Sequence, residues 1–152
     1  MKNYNFKEKL EEIFNASTFQ CLATSFDDSP WANPLWIKKD ERWNLYFRSL
    51  PETLHMQNIT TNKKVSVAIY SSNQRKPLKG IQILGKAKIL LTKPDIEEAM
   101  EYYLGKKDDM TAEDYLSETN FKLVRITPLE IYIFDQEAFE ESRVIVDPKF
   151  YA

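Results

Sequence analysis

The stretch Trp43–Tyr70, WNLYFRSLPETLHMQNITTNKKVSVAIY, decides how the chain is read. Trp43, Leu45 and Phe47 alternate with Asn44, Tyr46 and Arg48, the period-2 pattern of a half-buried strand. Ser49-Leu50-Pro51-Glu52 has the Ser-x-x-Glu form of a capping box with proline in the first turn, which predicts a helix running to about Asn62. Val65, Val67 and Ile69 then alternate as a second strand. Arg48, Ser49, Thr53 and His55, the only histidine, gather at the helix start. Unpaired N–H groups and the positive end of the helix dipole make such a start a natural seat for phosphate. Ser49 and Thr53 offer hydroxyls, Arg48 a fixed positive fork and His55 a titratable ring. The same residues also describe a plain cap, with Ser49 capping, Thr53 and His55 solvated, and Arg48 paired to a carboxylate.

Upstream, Asn5 and Glu8 begin a helix over 5–15 whose apolar stripe is Phe6, Leu10, Ile13 and Phe14. Residues 19–25 read as a strand, Asp27-Asp28-Ser29-Pro30 as a turn, and Trp31–Lys38 as the next strand, with Pro34 restricting it to an edge or a bulge. Trp31 and Trp36 fall on opposite faces, so one is expected in the core and the other at a site or interface. Downstream, a basic loop over 71–79 leads to a long strand carrying Ile81, Ile83, Ala87, Ile89 and Leu91 on one parity, with a bend or bulge at Gly85. Gln82 shares the parity of Lys86 and Lys88 and faces either a site or solvent. Pro94 opens a helix with Ile96, Ala99, Met100, Tyr103 and Leu104 at helical spacing, ended by Gly105. Thr111 caps a short helix through Ser117, and residues 121–135 form a last strand region interrupted at Pro128. About six antiparallel strands with three or four peripheral helices suggest a small barrel, because closure removes sheet edges. The 152 residues read as one domain: helix 5–15, barrel 19–135 and tail 136–152.

Composition excludes several classes. A net charge of −2 with interspersed signs gives no nucleic-acid footprint. Three glycines cannot build a Gly-rich nucleotide loop, and one cysteine, Cys21, cannot form an internal disulfide or a cysteine zinc cluster. With one histidine and no carboxylates at ligand spacing, no metal site is expected. No nucleophile elbow accompanies His55. Glu97-Glu98 and Glu140-Glu141 read as solvated faces. No signal-peptide pattern or membrane-length apolar run is present, so the expected location is cytoplasmic.

The segment Phe47-x-Ser49-x-x-x-Thr53-x-His55 resembles the Phe-x-Thr-x-x-x-Ser-x-Lys pattern of the pyridoxamine 5′-phosphate oxidase-like family, the FMN-binding split β-barrels. Asn58-Ile59, Asn62 and Val65–Ile69 fit the helix and strand that follow it. Gly80-Ile81-Gln82-Ile83-Leu84-Gly85-Lys86-Ala87 is similar to the family strand ending in Gly-x-Ala. The likeness covers roughly residues 6–91 and, more loosely, the last strand. The GIQ tripeptide and the histidine in place of lysine look most like an uncharacterised bacterial branch.

The resemblance implies a mainly β FMN-binding split barrel and a homodimer with two FMN sites at the subunit interface. Asn33, Pro34, Leu35, Trp36 and Lys38 would run along the isoalloxazine and ribityl chain. Arg48 and Ser49 would follow on the next strand, Thr53, Leu54 and His55 would lie near the phosphate, and Gln82 would come from the long strand. The implied activity is that of a small-molecule oxidoreductase using an electron donor or acceptor. A non-catalytic flavin-binding or stress-related module and a haem-binding barrel, with His55 as sole axial-ligand candidate, stand as alternatives. Two departures bear on this. The basic pair expected at the helix is here Leu54-His55, so one positive charge is lost and the other depends on pH. The C-terminal tryptophan and arginine pattern of pyridoxal-phosphate recognition is replaced by Arg143 without a nearby tryptophan.

Overall fold

The computed structural model of the protein describes residues 3–103 and 110–152. It is mainly β: eight strands in one antiparallel sheet, with five α-helices around it among the described residues. Helix α1 (Phe6–Asn15) is capped as expected, the Asn5 side chain accepting from the Glu8 N–H at 3.2 Å. Strands β1 (Gln20–Phe26) and β2 (Ser29–Leu35) form a hairpin. Its loop is only Asp27 and Asp28, at φ 47° and 60°, so Ser29 and Pro30 already belong to β2 rather than to a four-residue turn. Two successive positive φ values match the right-handed twist of the flanking strands, and Asp tolerates them.

Strand β3 (Lys38–Lys39) is followed by a turn organised on Asp40, whose carboxylate accepts from the Arg42 and Asn44 N–H groups, both at 2.9 Å. The turn holds Trp43 at φ 63°, so Trp43 precedes strand β4 (Leu45–Ser49) instead of opening it. Its ring is buried all the same, edge-on to Phe14. Next come α2 (Leu54–Thr61), β5 (Lys64–Ile69), β6 (Lys79–Ile89), α3 (Lys93–Tyr103) and α4 (Ala112–Leu116). The chain ends with β7 (Lys122–Asp135), α5 (Gln136–Phe139), β8 (Arg143–Ile145) and a 3-10 turn at Pro148–Phe150. Thr111 caps α4 through a capping box with Asp114. Leu104 and Gly105, expected to end α3, lie outside the described residues.

The hydrogen-bonded order is β2-β1-β5-β6-β7-β4-β3, with β8 on β7. The two ends of this path, β2 and β3, are separated in sequence only by Trp36 and Ile37, so one run of chain closes the sheet on itself. Where that run leaves β1, the Gln20 side chain substitutes for a strand partner, accepting from the Ile37 N–H at 2.8 Å. The break between β2 and β3 is the split in the barrel. Inside, side chains form layers across the register: Leu22, Val67, Ile83 and Ile131 stand in line on four strands, and Ile69, Ile81 and Ile133 in the next row. All are essentially inaccessible to solvent. These alternating apolar residues drive closure, since each strand can bury only one parity.

Three expectations are corrected. Pro128 does not interrupt the last strand: β7 is continuous over 14 residues. Leu84 pairs with Glu130 and Gly85 with Pro128, leaving Leu129 as the extra residue of a bulge, where a proline lacking an N–H does no harm. Gly85 is required there because a Cβ would lie 2.5 Å from Ile126 Cγ2. Neither Trp31 nor Trp36 is in the core: Trp31 is 44% exposed on β2, a strand open to solvent on both sides, and Trp36 is 52% exposed just past its end. Finally, the Ser49–Glu52 capping box does not form. Ser49 remains the last residue of β4, held opposite Lys122 of β7, and the helix starts four residues later with Thr53 as N-cap. Ladder pairing of Ser49 overrides its local propensity to cap.

Candidate functional site

The delayed start of α2 turns the expected cap inward. Ser49 has the parity of Phe47 and points to the barrel interior, where α2 packs on β1, β2 and β6. The Ser49 hydroxyl lies 2.7 Å from His55 Nε2 and 3.2 Å from Thr53 Oγ1, and Thr53 Oγ1 lies 3.3 Å from the same imidazole nitrogen. Thr53 also donates to the Leu50 carbonyl at 2.9 Å, which explains why it makes no side-chain cap to α2. Ser49 and His55 are each 7% exposed, while the neighbouring Leu54 stands out at 46%. His55 is therefore a buried ring beside Phe47 rather than the solvated one a plain cap requires. Burial holds its pKa below the ordinary 6.5, so the neutral form predominates at neutral pH. The cluster offers two hydroxyls and a ring nitrogen that becomes a charged donor on protonation.

Arg48 does not join this cluster. Successive strand residues face opposite ways, and Arg48 lies over the Phe121 ring with Nη1 3.3 Å from the Tyr115 hydroxyl, on the side covered by α4. The other expected residues fall into three places. Asn33 stands opposite Leu22 and shares its inward face. Its Oδ1 is buried without a hydrogen-bond partner among the described residues. Leu35 has the same parity, whereas Pro34 faces outward and lines a cavity of about 350 Å³ with Phe19, Cys21 and Tyr70. At the split, Lys38 Nζ lies 4.7 Å over the Trp36 ring, which also leans on Tyr103. Gln82 sits on the outer face, accepting from Arg143 Nε at 3.0 Å in a shallow groove of about 360 Å³ shared with Ser66, Leu84 and Tyr132.

Several pairings escaped sequence reading. Arg143 is brought to Gln82 by β8 and stacks on Phe134. Asn58 and Thr24 make a buried polar pair, Nδ2 to Oγ1 at 3.0 Å, which fixes α2 on β1. Lys122, 9% exposed, faces Ser49 across the β4–β7 ladder. The pairs Thr24–Asn58, Gln82–Arg143 and Ser49–Lys122 lie 34 to 73 residues apart in sequence, so only the tertiary structure reveals them. Among the described residues no group of three or more His, Cys, Asp or Glu side chains could hold a metal ion, and no helix is long and apolar enough to cross a membrane.

A barrel split between β2 and β3, with a hydroxyl and imidazole cluster at the start of the helix that follows β4, defines the class. The chain belongs to the pyridoxamine 5′-phosphate oxidase family, whose model matches residues 6–135. No curated protein matches the sequence. Among solved structures, a candidate pyridoxamine 5′-phosphate oxidase from Listeria innocua is 23% identical with a TM-score of 0.68, over 86% of this chain and 98% of that one. A NimC/NimA family protein from Clostridium acetobutylicum is 18% identical with a TM-score of 0.65, over 91% and 90%. A heme-binding protein from Mycobacterium smegmatis is 16% identical with a TM-score of 0.71, over 97% of this chain and 60% of that one. At these identities the likeness establishes the shared fold.

Proposed function

We propose that the protein is an FMN-binding flavoprotein, a cytoplasmic small-molecule oxidoreductase in which residues 1–152 act as one domain and pair as a homodimer. The observation that carries this reading is the Ser49–Thr53–His55 cluster, preassembled within 3.3 Å at the start of α2. It occurs in a chain of a family named for phosphate-ester chemistry. The hydroxyls and the imidazole would hold the flavin phosphate, and protonation of His55 at Nε2 would add a charge-assisted hydrogen bond. The buried Oδ1 of Asn33 supplies a fit test: it is an acceptor without a donor among the described residues, and a flavin ring N–H can supply that donor. Leu35 shares its parity on β2. Trp36 and Lys38 at the split would bound the ring system, and the exposure of β2 on both sides leaves room for a second protomer to close the site. Gln82, on the outer face with Arg143, would contribute from across that interface.

When bound, FMN supplies two-electron chemistry at its isoalloxazine; the protein binds it, orients it and tunes its surroundings. Leu54, exposed beside the buried His55, marks the mouth through which the phosphate would enter. Arg48 is engaged at α4, so it would support the site through β4 instead of touching the phosphate. His55 Nε2 is directed at two hydroxyls, which argues against its use as a haem ligand.

An absorption spectrum of the purified protein incubated with FMN and then desalted tests the reading. Retained flavin bands near roughly 370 and 450 nm support it. Retention of no flavin would overturn it, and a Soret band on the isolated protein would replace it with the haem reading. Bleaching of the retained flavin by NADH or NADPH separates a reductase from a flavin carrier.

A further inference from the structure

The outer face of the sheet carries an unbalanced charge at one end. On β6 alternate residues from Gln82 to Lys88 point away from the core, so Lys86 and Lys88 share that face. Lys86 stands directly opposite Lys64 of β5, and Lys88 directly opposite Arg125 of β7. Paired residues of an antiparallel ladder send their side chains to one face with Cβ atoms about 5 Å apart, where like charges repel. Further along the same face the opposed pairs Ser66–Leu84 and Gln82–Tyr132 carry no charge. Lysine often guards the edge of a sheet, but β5, β6 and β7 each have a strand on both sides and no edge to guard.

These cations line a groove. Lys63, Lys86, Lys88, Arg125 and Thr127 surround a space of about 290 Å³, with Ala87 and Leu129 as its apolar wall. Leu129 reaches it as the extra residue of the bulge opposite Leu84 and Gly85, since a bulge re-aims a side chain. Two carboxylates lean in from α3: Asp95 lies 2.9 Å from Lys88 and 3.9 Å from Arg125, and Glu98 lies 3.8 Å from Arg125. Among the described residues no ion pair reaches Lys63, Lys64 or Lys86. Five cations against two carboxylates leave a surplus of three positive charges, in a chain whose net charge is −2. Three adjacent strands span roughly 10 Å, about one Debye length at 0.1 M salt, so solvent ions do not cancel the surplus. We propose that this groove binds an oligophosphate, with Lys63, Lys86, Lys88 and Arg125 on the phosphate oxygens and the Thr127 hydroxyl as a neutral donor. Two linked phosphates carry roughly three negative charges near neutral pH and match the surplus, which a single phosphate or carboxylate does not. The site is separate from the proposed flavin seat, because Ser49 faces the barrel interior and Lys86 faces away from it.

Calorimetric titration of the full chain with pyrophosphate, ATP, adenosine and inorganic phosphate, at a constant ionic strength of about 0.05 M, tests the proposal. Pyrophosphate and ATP should bind, adenosine should not, and inorganic phosphate should bind at least about tenfold more weakly than pyrophosphate. Lys86→Gln, at an exposed position, should weaken pyrophosphate binding at least about fivefold. Lys7→Gln removes the same charge from the exposed side of α1 and should leave it within about twofold. ATP binding no tighter than pyrophosphate supports a free oligophosphate as the ligand; ATP binding about tenfold tighter supports a nucleotide whose nucleoside rests on Leu129. Failure of the parent to bind pyrophosphate, or binding no tighter than that of inorganic phosphate, would overturn the proposal. So would equal affinities of Lys86→Gln and the parent, which would put the anion elsewhere, or equal losses in Lys86→Gln and Lys7→Gln, which would reduce the effect to net charge.

Discussion

Replacing His55 by glutamine is the most informative perturbation of the cluster. Glutamine keeps a polar group near Ser49 but cannot take up a proton. In the structure burial depresses the His55 pKa below 6.5, and among the described residues its polar side-chain contacts are Ser49 at 2.7 Å and Thr53 at 3.3 Å. A phosphate placed among these groups reverses that preference, since an adjacent anion stabilises the protonated ring. A hydrogen bond between charged groups is worth about 1.5–3 kcal/mol, which corresponds to about 10–150-fold in Kd. That loss should appear in full at about pH 6, where the imidazole of the complex is protonated. Towards about pH 8 the parent loses its proton and the two proteins should approach one another, within the roughly 0.5–1.5 kcal/mol of a neutral hydrogen bond. The second ionisation of the phosphate is common to both and cancels in their ratio. Titration of flavin fluorescence with FMN across this pH range, with riboflavin as control, measures the ratio directly. If the parent and His55→Gln keep a constant ratio of FMN affinities at every pH, His55 does not titrate against the phosphate and the argument fails.

Without ligand the sign is opposite. A histidine with a depressed folded pKa contributes stability above its unfolded value, ordinarily 6.5, and that contribution is lost as pH falls through the folded value. Thermal melts of the ligand-free protein should therefore lose less on acidification from about pH 7 to 5 in His55→Gln than in the parent; identical acid sensitivity would argue against it. Thr24→Val strands the Asn58 amide, buried against β1, and should cost about 1–3 kcal/mol, visible as a melting shift of about 2–4 °C per kcal/mol. Gly85→Val places a Cβ 2.5 Å from Ile126 Cγ2 in the bulge and should destabilise by at least about 1–3 kcal/mol, so a parental denaturation midpoint would contradict the packing described. Trp31→Glu puts a charge on the strand open on both sides, and light scattering should then report a monomer in place of the proposed homodimer; an unchanged mass would move the interface elsewhere.

Much of the barrel was legible because its strands obey a two-residue period that only one buried face can produce. The rows through Val67, Ile83 and Ile131 follow directly from alternation along each strand. Helix α1 and the cap of α4 were legible for a local reason as well, since their side chains bond within three residues. Pro128 misled because a strand tolerates proline at a bulge, and the bulge exists only once Gly85 of β6 has met it. The two tryptophans misled because periodicity separates two faces without saying that both are exposed.

The functional stretch shows the division most clearly. Sequence alone determined that hydroxyls, an arginine and the single histidine crowd one strand-to-helix passage, because that much is a matter of spacing. Tertiary structure decided which of them meet. Pairing of β4 with β7 holds Ser49 in the sheet, so the capping box gives way to a bond between Ser49 and His55. The alternation of the same strand sends Arg48 to the other face, against Tyr115 and Phe121. Lys122 comes to Ser49 from 73 positions away, through a register that no local pattern encodes.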